Sequence, residues 1–117
     1  MTEIKRISPA QRMSQAVVHG NLVFLAGQVA QRAPGASVAE QTVDILAKTE
    51  ELLAEAGTDK TKLLSATIWL TDMSTFGAMN EIWDAWVAPG AAPARACVEA
   101  KLAAPQFTVE IAFVAAV

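Results

Sequence analysis

A chain of 117 residues with 53 % apolar and 18 % charged side chains is long enough for one continuous core and too short for two, and it has more apolar surface than a small monomer usually hides. Its net charge is −3, and its nine Lys and Arg residues are scattered from Lys5 to Lys101 without forming a stripe, which argues against nucleic acid as a partner. One cysteine and one histidine exclude an internal disulfide and cannot supply the usual soft ligands of a zinc site. The opening Met-Thr-Glu-Ile-Lys-Arg-Ile-Ser has no apolar run of signal-sequence length, and no later segment approaches a membrane span. A cytoplasmic protein without membrane contact, with one domain over 1–117, is the expectation.

Ala16-Val17-Val18-His19, Gly20-Asn21 and Leu22 to Gln28 read as two strands around a tight hairpin turn, because Gly and Asn both tolerate positive φ. After the loop containing Pro34 and Gly35, Ser37-Val38-Ala39-Glu40 has capping-box spacing and predicts a helix to about Ala56, stopped by Gly57. Its apolar face is read as Val43, Leu46, Leu53 and Ala54 with Ala56, and its polar face as Asp44, Lys48, Glu51 and Glu55. Leu64 to Thr71 alternates as a half-buried strand. Ser74 is placed as the cap of a second helix, whose Phe76, Met79, Ile82, Trp83 and Trp86 recur at three and four. Pro89 and Gly90 end it. Two strands follow, about Ala94 to Leu102 and Thr108 to Ala116.

The order ββ-α-β-α-ββ implies an α+β layer, two helices on one face of a mostly antiparallel sheet. Two helices can cover only one face. Yet the last strand is apolar on both, with Val109, Ile111 and Phe113 on one side and Ala112, Val114 and Ala116 sharing the other with Glu110. The simplest cover for the second face is another copy of the chain, so an obligate homo-oligomer with sites at its seams is expected.

Two isolated charges stand out in the nearly charge-free stretch after Asp84: Arg95 and Glu110. Each costs several kcal/mol unless paired or solvated. Alternation places Arg95, Cys97, Glu99 and Lys101 on one side of their strand, opposite Ala94, Ala96 and Val98. Arg95 suits a planar carboxylate, and Glu110 in an apolar setting suits a general base. From the residues alone, an ion pair between the two across adjacent strands, or with a carboxylate of another subunit, is favoured over a ligand site. Cys97 reads as a small buried thiol rather than a nucleophile, since no base lies near it in sequence. Asn80 is either a helix-to-loop hydrogen bond or a polar contact at a cleft. His19 reads as a strand-end residue, and the three tryptophans as packing.

Ala26-Gly27-Gln28, Gln41-Thr42, Met79-Asn80-Glu81, Pro93-Ala94-Arg95-Ala96-Cys97-Val98 and Val109-Glu110-Ile111, in this order and at these spacings, resemble the RidA family, also called YjgF or L-PSP. The resemblance runs from about Ala16 to the C-terminus. Ile68-Trp69-Leu70 and Trp83-Asp84-Ala85-Trp86-Val87 resemble a YoaB-like branch more than RidA itself. It implies a chorismate-mutase-like fold, a homotrimer with clefts between subunits, and hydrolysis of reactive 2-imino acids and their enamines to 2-keto acids and ammonia, with neither metal nor cofactor. Carried over by position, Arg95 would clamp the substrate carboxylate. The backbone around Ala96 and Cys97, together with Gly27, would hold the imine end. Glu110 would position or deprotonate the attacking water, and Asn80 would shape the cleft.

The chain departs from the family pattern in having no tyrosine, with Met13 near the position of the family's cleft tyrosine, and in carrying Ala26 and Ala96 where hydroxyl residues are usual. These losses point to a bulkier or more apolar substrate, or to weak or absent deaminase activity. Two alternatives to the deaminase are a non-catalytic module binding small carboxylates such as keto acids, and an endoribonuclease or translation inhibitor, against which the acidic balance speaks.

Overall fold

The computed structural model describes residues 3–117. Among them are the strands β1 (Ile4–Pro9), β2 (Ser14–His19), β3 (Leu22–Leu25) and β4 (Gln28–Val29), the helix α1 (Val38–Glu55), the strand β5 (Leu63–Leu70), the helix α2 (Phe76–Trp86), and the strands β6 (Ala94–Glu99) and β7 (Val109–Ala116). They form one sheet in the order β1-β2-β3-β7-β5-β6, with β4 also pairing with β7. Every pairing is antiparallel except β5 with β6. The expected α+β layer, two helices on a mostly antiparallel sheet, is what the chain forms.

The β2–β3 hairpin closes as expected through Gly20-Asn21, joining His19 to Leu22, with Gly20 at φ 62°, a conformation that side-chain-bearing residues adopt at a cost. β1 was not expected. It pairs along β2 from Ile4–His19 to Pro9–Ser14, yet only Ile7 of its side chains is buried. An edge strand carrying Lys5 and Arg6 shows no apolar alternation, because charges there keep the edge from pairing with other chains. The expected strand Leu22 to Gln28 is in fact two, β3 and β4, interrupted at Ala26-Gly27. β6 stops at Glu99, short of Leu102.

Ser37 caps α1, its hydroxyl accepting the Glu40 amide at 3.2 Å and donating to the Glu40 carboxylate at 3.1 Å. The helix ends at Ala56-Gly57, where the Gly57 and Thr58 amides bond back to Ala54 and Leu53. Its buried face is Gln41, Thr42, Ile45, Leu46, Thr49, Leu52 and Leu53, while Val43, placed on that face by the sequence pattern, is 52 % exposed. Hydroxyls stand among apolar groups there without being left unpaired, since Thr42 and Thr49 donate to the carbonyls of Val38 and Ile45 one turn back. Ser74 does not cap α2. Asp72 instead caps a short turn, Met73–Thr75, that leads into the helix.

The core lies between the helices and one sheet face: Val109, Ile111, Phe113 and Ala115 of β7, flanked by Ala66, Ile68 and Leu70 of β5. Trp83 of α2 stacks on Phe113, centroids 5.8 Å apart and rings within 5° of parallel. Among the described residues, the opposite face has no helix. It presents Phe24 and Val98, each 46 % exposed, beside Val17, Val114, Ala112, Thr67 and Trp69. This is the uncovered apolar face that the doubly apolar strands foretold.

Candidate functional site

Arg95 and Glu110 are held in different ways and on different sides of the sheet. β5 lies between β6 and β7, so the two residues are not on adjacent strands. Arg95 registers with Ala66, on the helix side, whereas Glu110 registers with Trp69 and Val29, on the uncovered side. An ion pair between them within one chain is therefore excluded, and the sequence-based preference for that pair is corrected. The described ion pairs both belong to Arg32, with Asp44 and Glu51.

Arg95 stands on the edge strand over the aromatic face of α2. Its Nη1 donates to Asn80 Oδ1 at 2.8 Å, and its guanidinium carbon lies 5.2 Å from the Trp83 ring centroid and 5.7 Å from that of Phe76. The two rings give the cation an aromatic surface to lie over, and Asn80 fixes one corner. Of the five guanidinium N–H groups, four remain for other acceptors, in an exposed side chain. Asn80 thus resolves to a contact that orients the arginine. Cys97 shares the Arg95 side of β6 and is half-buried against the core. Burial pushes its thiol above the ordinary value, with Arg95 pulling the other way, so it stays protonated near neutral pH. Ala96 points to the uncovered face opposite Thr67, on the strand that forms this edge of the sheet.

Glu110 projects from near the start of β7 onto Gly27. A Cβ added at Gly27 would lie 3.0 Å from the Glu110 carboxyl carbon and 3.2 Å from its Cγ, inside contact distance, so the absence of a side chain at position 27 is what gives the carboxylate its place. No hydrogen bond from a described side chain reaches Glu110, and burial raises its pKa above the usual carboxylate range. It lines a pocket of about 230 Å³ with Met13, Gln15, Gly27, Gln28, Val29, Gln31, Ala103 and Phe107.

Within one chain the structure therefore brings together Arg95, Asn80 and Cys97, and separately Gly27 and Glu110. Sequence reasoning missed Gln28, which is buried and donates to Gln15 Oε1 and the Ala26 carbonyl at 3.0 Å each, and it missed Phe107. An amide next to Gly27 in an apolar strand was a signal for the first. Nothing in the pattern around Phe107 marked the second.

Two helices on one side of this mixed, mostly antiparallel sheet, with an arginine on its free edge and a glutamate over a glycine on its bare face, define a YjgF-type, chorismate-mutase-like protein. The chain belongs to the L-PSP family, also called YjgF or RidA: the sequence profile described as Endoribonuclease L-PSP matches residues 3–117. It is 42 % identical over 112 residues to a RutC family protein of Haemophilus influenzae, covering 96 % of this chain and 97 % of that one. It is also 42 % identical to the RutC family protein YoaB of Escherichia coli, covering 97 % and 98 %. A YjgF-family crystal structure from Neisseria meningitidis superposes with a TM-score of 0.94 at 47 % identity, over 97 % of this chain and 94 % of the other. No described helix is long and apolar enough to cross a membrane.

Proposed function

We propose that the protein hydrolyses reactive 2-imino acids to 2-keto acids and ammonia, as a homotrimer in which the Arg95 half-site of one copy meets the Glu110 half-site of the next. The carrying observation is the separation of the two half-sites. Each is preorganised within one chain, and only a second copy seated on the uncovered sheet face brings them together. That face is apolar enough to be buried by a copy of itself.

The reaction balances without an added group. A protonated imine, R–C(=NH2+)–COO−, takes one water and yields R–C(=O)–COO− and NH4+. Arg95, held over Trp83 and Phe76 and by Asn80, offers its free N–H groups to the carboxylate in two parallel hydrogen bonds. The edge-strand backbone around Ala96 and Cys97 and the backbone at Gly27 bracket the imine end. Glu110 accepts a proton from water as the oxygen bonds to the imine carbon and delivers it to the nitrogen. As the C–N bond breaks, it takes the hydroxyl proton of the adduct and passes it to the departing ammonia, leaving the C=O and NH4+. Its raised pKa makes Glu110 the stronger base toward the water, and a carboxyl nearer working pH can both take up and return a proton.

Freshly generated 2-aminoacrylate should yield pyruvate faster with the protein than without, and Arg95→Ala should remove the gain. An unchanged rate with folded, oligomeric protein would sink the proposal. The replacement of hydroxyl residues by Ala26 and Ala96 supports a second reading, a non-catalytic binder of small carboxylates. Calorimetric binding of 2-ketobutyrate, lost in Arg95→Ala and unaccompanied by turnover, would select it. Ribonuclease action, named in the family description, is disfavoured by the net charge of −3.

A further inference from the structure

Gln41 sits in the first turns of α1 and is fully buried, yet its amide serves another part of the chain. Nε2 donates to the carbonyls of Ala36 and Gln106, and Oε1 accepts the Thr108 amide, each at 3.0 Å. The Gln106 carbonyl also takes the Gly35 amide at 2.9 Å, and the Thr108 carbonyl takes the Thr71 amide at 3.1 Å. One side chain thus ties down both ends of a three-residue segment that has no strand ladder of its own. Phe107 is the residue between the two ties, and it forms part of the wall of the Glu110 pocket.

We infer that Gln41, which touches no reacting group, sets the side-chain preference of the Glu110 pocket by holding Phe107 in its wall. The inference rests on the imino-acid reading of that pocket and adds the substituent it selects. With the substrate carboxylate on Arg95 and its C2 beside Glu110, the side chain has Met13, Val29, Ala103 and Phe107 to meet, the apolar part of a wall that also carries Gln15, Gln28 and Gln31. The preferred substrates are 2-imino acids with an apolar side chain longer than methyl, gaining roughly fourfold in kcat/KM for each methylene buried. That gain requires Phe107 to stand still. A buried amide with both ends used holds the segment in one arrangement, because any other leaves polar groups unpaired in the core.

The test compares the native oligomer with Gln41→Met, Gln41→Glu and Phe107→Ala, using imines generated in place from alanine, 2-aminobutyrate and leucine by an amino-acid oxidase. KM and kcat are measured together with calorimetric binding of the matching 2-keto acids and hydrogen exchange at the Thr108 amide. Gln41→Met removes every tie at similar size, and it should shrink the leucine-over-alanine ratio of kcat/KM about tenfold, through KM more than kcat. Thr108 exchange should quicken. Gln41→Glu keeps the acceptor for Thr108 but faces two carbonyls without donors, and should fall between native and Gln41→Met. Phe107→Ala should shrink the ratio equally without quickening exchange, and it carries the test if Gln41→Met does not fold. An unchanged ratio in Gln41→Met or in Phe107→Ala overturns the inference and leaves the deaminase reading standing. A native protein that neither hydrolyses any of the imines nor binds any of the keto acids overturns both.

Discussion

Arg95 and Glu110 face the same physical problem and meet it differently. Both are charges in strands otherwise made of small and apolar residues. Arg95, on the edge of the sheet, receives its company from its own chain: an amide oxygen at 2.8 Å and two aromatic faces from α2. Glu110, in the middle of the sheet, receives a gap above Gly27 and no described side-chain donor. A supported cation with spare donors is a preformed anion holder. A half-buried carboxylate without a donor is a group whose proton affinity has been raised, and it is the more expensive of the two to keep.

The comparison is broken most forcefully at the carboxylate. Glu110→Gln should lower kcat for imine hydrolysis by about 10²- to 10⁴-fold, the range for loss of a general base, with KM little changed. Because the pKa of Glu110 is raised, activity of the native protein should fall on acidification earlier than an ordinary carboxylate would dictate. The stability effect has the opposite direction. A carboxyl with a folded pKa above its unfolded one binds its proton more tightly when folded, so its ionisation weakens the fold as pH rises through the two values. Glu110→Gln should therefore raise the melting temperature modestly at pH 7, and the gain should vanish below the ordinary carboxylate range. A variant equally active and no more stable would show that Glu110 is merely a surface acid.

At the cation, Arg95→Ala should weaken binding of 2-keto acids by about 10²-fold, as expected when a charge-assisted bidentate contact is lost, and Arg95→Lys should recover only part because one point charge cannot reproduce the fork. Gly27→Ala forces the Glu110 carboxylate aside and should reduce kcat by about tenfold, the cost of a misplaced catalytic group, with little loss of melting temperature. Full activity in Gly27→Ala would mean that the close approach at Glu110 has no catalytic role. Asn80→Ala removes one hydrogen bond to a charged group at an exposed site, and should raise KM by a few-fold, the equivalent of about 1 kcal/mol. An effect there as large as that of Arg95→Ala would place Asn80 on the substrate itself.

Much of this was legible before any coordinates. The hairpin at Gly20-Asn21, the Ser37 cap, the stop at Gly57 and the alternation of β5 and β7 are local patterns, in which neighbouring residues carry their own geometry. β1 was not, because an edge strand buries one side chain of six and is specified by the strand it joins. Nor was the inward face of α1, where Thr42 and Thr49 satisfy their hydroxyls on the helix backbone and thereby pass for apolar residues. Phe107 lies in a segment without period, held by an amide 66 positions earlier in the chain.

For the two charges that dominate the candidate site, the sequence by itself determined that each sits among apolar neighbours and that Arg95 and Cys97 share one side of a strand, since alternation along a single strand needs no partner. Only the tertiary structure decided that β5 separates β6 from β7 and that Arg95 and Glu110 lie on opposite faces of the sheet. Strand order and inter-strand register are set by contacts between residues far apart in sequence, and the period of one strand carries no record of which strand lies beside it.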